Sequence, residues 1–552
     1  MALLAAVSLS VAASGGASGC SASRTCGAAD CPPGGDAGAD AGHGDILSVA
    51  IVPADPVLSS VNGSRETADL DVVGTFADGT TVSLAPAAWS LDSPAVGEVD
   101  RATGAFVANG QAGGVARATV ATWGRTASTS VTVTVRFEVL EPGVPADAPA
   151  RFLGAARLDP ARAALLVYPL DGAYVPHNVG PPDVQWTRGE PGDLFRVRLR
   201  RGPAEVDGFV AHDGPTFGYH WRVPPAAWRA VAETITGEDV AVELTRSVAA
   251  DGSLVADPTR SVHVVGRALR GHVYYWDIQA GRVQRIRADG SGRESVMPNP
   301  PPSPSGVRCV ACHTVSRDGR RLAAELWGGS DYSTVFDLTV DLSVDPAPTV
   351  FPTAVVRFLF ASFSPDGTRL VANWRTGLFL IDARTGLLVP AGGAGLPPGG
   401  AAHPEWSPDG SRIAFVSGID GAWAVDFSSG SLAVLDVTGP AVFGRPRIVH
   451  TPAGRSDAHP TWSPDSAWIA LQWGTHSRSY LDPATTGGAL IENPSRVILV
   501  SADGATSHAL DRLNGGLDQN HWPTFSPFAD TEYAGYFWLA FVTTRDYGNA
   551  QA

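Results

Sequence analysis

Between residues 46 and 135 apolar and polar side chains alternate in short runs: "LSVAIVPAD", "ADLDVVGTFADGTTV", "AAWSLDS", "GAFVANGQAGGVARATVATWG" and "STSVTVTVR". A period of two, broken by turn residues at this spacing, predicts strands with one inward face, paired as a β-sandwich. A second set over 165–268, including "PPDVQWTR", "DLFRVRLRRG", "FGYHWRVP" and "DVAVELTRS", predicts another sandwich, with Trp186, Tyr219 and Trp221 as core. No long segment carries a helical or heptad period. The expected fold class is all-β.

From residue 271 the pattern changes to a repeat. "VSRDGRRLAAEL", "FSPDGTRLVANW", "WSPDGSRIAFVS", "WSPDSAWIALQW" and "FSPFADTEYAGYFWLAFVT" place a serine at 316, 364, 407, 463 and 526. Intervals of this size mark the blades of a propeller. In the full motif Pro presets φ, Asp accepts local backbone N–H groups and Gly supplies the freedom that the end of the turn needs, with Arg317 in place of Pro in the first copy. The stretch "GHVYYWDIQAGRVQRIRADG" (271–290) looks like an outer hairpin lacking an inner pair, and the C-terminal "YFWLAFVTTRDYGNAQA" like an inner pair lacking an outer one. The two are expected to close the ring as one blade, giving five or six blades over 271–552.

Three resemblances follow from these residues. The segment 46–136, with Asp78-Gly79, Trp89 and the run from Gly104 to Ala108, resembles a bacterial Ig-like domain of group 2. The segment 165–268 is similar to a fibronectin type III sandwich, and 271–552 resembles a TolB-like propeller. The first implies a spacer or adhesion module, and the last a docking platform.

Composition narrows the setting. The chain has 62 Gly, 43 Pro and only 17% charged residues, as a turn-rich β protein should. Its formal charge of −15 argues against nucleic acid or an anionic lipid surface as a partner, because both need a basic face. The opening "MALLAAVSLSVAASGGASGC" reads as a leader over 1–20 and resembles a bacterial lipoprotein signal, which implies lipidation of Cys20. The Gly/Ala/Asp-rich residues 21–45 read as a disordered tether, in which Cys26 and Cys31 either pair or are incidental. An exported protein is expected, periplasmic or at the outer membrane or cell surface, held to the membrane by its lipid anchor alone.

Cys309-Val310-Ala311-Cys312-His313 is the attachment pattern of haem c: two thiols spaced for the two vinyl groups, then an imidazole to reach the iron. A zinc site would want a second Cys pair nearby, a thioredoxin-like dithiol a βαβ setting, and a plain disulfide a less strained loop. The cofactor reading is one covalent haem c on Cys309 and Cys312, with His313 as proximal ligand. His403 ("HPEWSPDG"), His459 ("HPTWSPDS") and His521 ("HWPTFSP") stand just before the turn serines, as His313 does in "CHTVSRDG". They are the candidate distal ligands, His459 and His403 ahead of His521, with Met297 last.

The expected function is one-electron transfer or redox sensing at the cell envelope, with the propeller docking an envelope redox or surface protein. The competing class is a non-redox adhesion lipoprotein. No G-x-S-x-G elbow occurs, so a carrier or binding protein is expected rather than an enzyme; a haem with an open sixth position would revive a peroxidase.

Overall fold

The computed structural model describes residues 45–548, apart from 86–87, 235, 329–331, 390–394, 479, 482–490, 517 and 529–535, together with the backbone of Ala2–Ser8. Cys20, Cys26, Cys31 and almost all of the expected tether lie outside the described residues.

In the first sandwich the alternation is realised as burial. Along Arg125–Leu140 the residues Val131, Val133 and Val135 are buried while the intervening positions are more accessible. Trp89 lies at the centre beside Leu70 and Phe106. Gly104 sits at φ +80° against it, and a Cβ there would lie 2.6 Å from the indole, so only glycine fits. Trp186 and Trp221 are core residues of the second sandwich, and Tyr219 packs against the same core.

The two sandwiches share a sheet, which local patterning does not announce. The first half of Arg125–Leu140 pairs antiparallel with Gly114–Thr122. Its second half, Val135–Leu140, runs parallel to Ala204–Phe209 of the next sandwich. One apolar cluster consequently spans both, from Ile46 to Val264.

The propeller is built from five sheets whose inner strands are Val310–Val315, Phe360–Phe363, Ala401–Trp406, Ser456–Trp462 and Asn520–Phe525. Each inner strand pairs antiparallel with the strand after its turn. In the second blade the adjacent residues Leu370, Val371 and Ala372 are all fully buried, because a blade has neighbours on both faces and both must be apolar. The turn serine holds the strand pair together. Ser316 Oγ donates to Asp318 (2.6 Å) and accepts the N–H of Arg321 (2.9 Å), and Ser407 and Ser463 repeat the pattern. The turn ends on a positive φ at Gly319, Gly367 and Gly410, and in the fourth blade on Ser466 (φ +60°), whose Oγ accepts Asp409 N–H.

Bonds between inner strands tie the blades into a ring. Trp406 N–H reaches Ser362 Oγ, Trp462 N–H reaches Glu405, and Phe525 N–H reaches Thr461 Oγ1. Arg317 of the first blade donates to the Pro527 carbonyl of the fifth (3.0 Å) and closes the circle at the turn end.

The expected composite blade does not form. His272–Asp277 and Arg282–Arg287 make a sheet of their own with Glu294–Ser295, while the C-terminal strand Tyr536–Thr543 pairs with Asn520–Phe525 and, on its other edge, with the backbone of Ala2–Ser8. The reason is apolar packing: the hairpin sheet lays Val283, and Met297 just beyond it, against Val310, Leu322 and Phe336 of the first blade.

Candidate haem-attachment site on the first blade

Cys309 and Cys312 are three residues apart, a spacing that puts side chains on opposite faces of a regular strand. The register between Val310↔Leu326 and His313↔Ala324 contains one extra residue, so Ala311 and Cys312 together oppose Glu325. That β-bulge resets the alternation and turns Cys312 to the side of Cys309. Both are free thiols and partly buried. Burial pushes the Cys312 thiol up to about 12, with the buried Glu325 carboxylate and then Cys309 adding to the rise. Cys309 is raised by burial and by the same Glu325. Both sulfurs therefore carry their protons at neutral pH.

His313 is held in the complementary state. Burial pushes its imidazole down to about 4, and the Tyr274 carbonyl opposes that shift only in part. The ring is neutral at physiological pH, with the Tyr274 carbonyl near it. A carbonyl fixing the tautomer of an imidazole is the usual support for a metal-ligating histidine. The donor set thus fits a c-type haem in residue identity, spacing and protonation. The hairpin sheet frames it, since Gly281 O accepts Val310 N–H (3.0 Å) and Arg282 donates to the Arg308 carbonyl (2.8 Å).

The candidate distal ligands are not gathered around His313. His403 and His459 stack on one another at 3.8 Å, and His403 Nδ1 accepts the His459 backbone N–H. His459 Nε2 donates to the Ser477 carbonyl (3.0 Å), and His403 Nε2 points towards the Ala424 carbonyl without closing a bond. Burial pushes His403 well down and His459 to about 3, so both are neutral. Phe360 packs edge-on against both rings, and Trp522 packs against His459. His521 is fully buried and bonded through Nδ1 to Ser495 Oγ (2.6 Å). Met297 is fully buried in the apolar cluster that contains Val310.

The sequence alignment of the blades is one residue out at two places. In the fifth blade Trp522, not His521, stands four before the turn serine and just before a proline. It has φ +47°, matching His403 (+50°) and His459 (+49°). In the first blade the residue four before the serine is Cys312 rather than His313. An extra Trp between His and Pro, and a bulge placed one step further from the turn, account for the two offsets.

Sequence reading also missed Glu405. It accepts bonds from Thr461 Oγ1 and Trp462 N–H, and burial pushes it up to about 7 despite Arg317 of the first blade. The signal available was a carboxylate where the fourth and fifth blades carry Thr461 and Thr524. Among the described residues no group of three or more His, Cys, Asp or Glu is placed to hold a bare metal ion.

No family model and no curated protein matches the chain. Among solved structures, a TolB from Agrobacterium tumefaciens is 18% identical with a TM-score of 0.28, covering 43% of this chain and 79% of that one. The β-propeller domain of Cps50 (Swd1) from Myceliophteria thermophila is 11% identical with a TM-score of 0.30, covering 55% and 92%. The dihydro-heme d1 dehydrogenase NirN is 16% identical with a TM-score of 0.25, covering 43% of each chain. Likenesses of this size say nothing about activity. On its own sheets the chain is an all-β protein whose C-terminal half is a β-propeller.

Proposed function

We propose that this is an exported c-type haem protein that transfers single electrons, or senses redox state, at the cell envelope, with the propeller docking its protein partner. The observation that carries the reading is the bulge at Ala311–Cys312, which turns both thiols of a C-x-x-C-H motif to one side of the strand, with a neutral His313 next in the chain. Cys309 and Cys312 would hold the haem through thioethers and His313 would ligate its iron. The bound group supplies one-electron exchange between ferric and ferrous states. Protonated thiols suit addition across a vinyl double bond, in which sulfur and hydrogen each go to one carbon.

A leader removed before Cys20 would put attachment outside the cytoplasm. A mature N-terminus at an acylated Cys20, found by mass spectrometry, supports the lipoprotein form; an unacylated N-terminus downstream of it removes the anchor. The haem is tested on protein co-expressed with a haem c maturation system. Pyridine haemochrome bands of the c type, retained after acidified organic extraction, are expected. Colourless protein with intact thiols would leave the non-redox binding module in its place.

A further inference from the structure

We propose that the guanidinium of Arg375, held between the indoles of Trp374 and Trp423, is a binding site for a carboxylate-bearing ligand. The proposal does not rest on the haem reading.

Arg375 and Thr376 form a two-residue hairpin loop, since Trp374 pairs with Gly377. Arg375 has φ +55° there, in the left-handed region. Tight hairpins fill such positions with Gly, Asn or Asp, which adopt it at lower cost. A long cationic side chain on strained backbone points to a use for that side chain. Its guanidinium carbon lies 4.8 Å from the Trp374 ring and 5.4 Å from that of Trp423, which is 42% exposed. The Asn373 that precedes this pair faces Phe360 across the sheet, so the stack stands just outside the aromatic cluster of His403 and His459.

Arg357 also lies over the Trp374 ring, at 5.6 Å, and two Arg–Trp stacks elsewhere in the propeller provide the comparison. Arg412 lies over Trp462 at 5.0 Å and gives its Nη2 to the Ser466 carbonyl. Arg455 lies over Trp473 at 4.4 Å and gives its Nη2 to Asp518 at 2.6 Å. Both are internal clamps, with an acceptor supplied by the fold. Arg375 has the same stacking, but among the described residues its guanidinium donates to no acceptor and pairs with no carboxylate. With its carbon over both rings, its N–H fork is left to match the two oxygens of a carboxylate. The planar fork suits a planar carboxylate, whereas a phosphate dianion would draw on both Arg375 and Arg357, and the phosphate arm of the test separates the two.

The test is isothermal titration of the full chain with benzoate, its neutral isostere benzamide, and inorganic phosphate. Saturable benzoate binding is expected, with benzamide and phosphate weaker. Arg375→Gln should weaken benzoate about tenfold or more, from the loss of a charge-assisted bond. Arg445→Gln, an exposed arginine elsewhere on the propeller, should leave it unchanged. A matching thermal transition for the two variants excludes unfolding as the cause. Benzoate and benzamide binding alike, Arg375→Gln binding as well as the parent, or no benzoate heat at millimolar concentration would each overturn the site. Phosphate binding more tightly than benzoate would overturn the carboxylate assignment.

Discussion

The inner strands of the first and fourth blades occupy equivalent places in one repeat, and both carry a bulge before the turn serine. In the fourth blade the extra residue is His459, left-handed and followed by proline, stacked on His403 and bonded to Ser477. Every group there has an internal use. In the first blade the bulge holds Ala311 and Cys312 opposite Glu325, with no proline, and presents two thiols and an imidazole that the fold does not consume. The repeat supplies an irregular backbone at the start of the strand; the residues placed in it decide whether that becomes packing or chemistry.

The sharpest way to break this comparison is to remove the first bulge. Deleting Ala311 removes the bulge and shortens the motif to C-x-C-H, so the thiols no longer have the spacing of the two vinyl groups and covalent haem should be lost as fully as with Cys309→Ser/Cys312→Ser. Haem absorbance per polypeptide checks it, with circular dichroism confirming that the sheets remain. The reciprocal change is His459→Ala, which removes a stacked ring and its bond to Ser477. It should cost about 2–4 kcal/mol of stability in denaturant unfolding. It should leave haem attachment intact, since among the described residues His459 makes no hydrogen bond or ring contact with residues 309–313.

Glu405 sharpens the contrast through pH. Its ordinary value is near 4.5 and burial raises it to about 7 in the folded chain. Between those values the native state holds a proton that the unfolded chain releases, so this group's contribution to stability is present at low pH and lost as pH rises through the window. Glu405→Gln should flatten that part of the profile, as read by thermal unfolding across pH 4 to 8. The smallest effect is expected at the fourth turn. Ser466→Gly relieves a left-handed serine but gives up the bond from Asp409 N–H, and the two should nearly cancel, within about 1 kcal/mol.

Much of the frame was legible in the sequence. Alternation located the sandwich strands, Trp186 and Trp221 were core, and the turn serine marked all five blades because its chemistry is local. Legibility failed where the deciding term is non-local. The parallel pairing of Val135–Leu140 with Ala204–Phe209 depends on tertiary packing, and so does the independent sheet of His272–Asp277 and Arg282–Arg287. The same limit applies to the site. The motif Cys309 to His313 is a string match, but the bulge that brings its thiols together, the Tyr274 carbonyl and the one-residue offsets of His313 and His521 are matters of register.

A covalent haem on the first blade's bulge is read from the intact mass of matured protein measured alongside the Ala311 deletion. One haem on the parent chain, mapped by peptide mass spectrometry to Cys309 and Cys312, and none on the deletion are expected. A parent chain at its apoprotein mass, or equal haem on both, would rule it out.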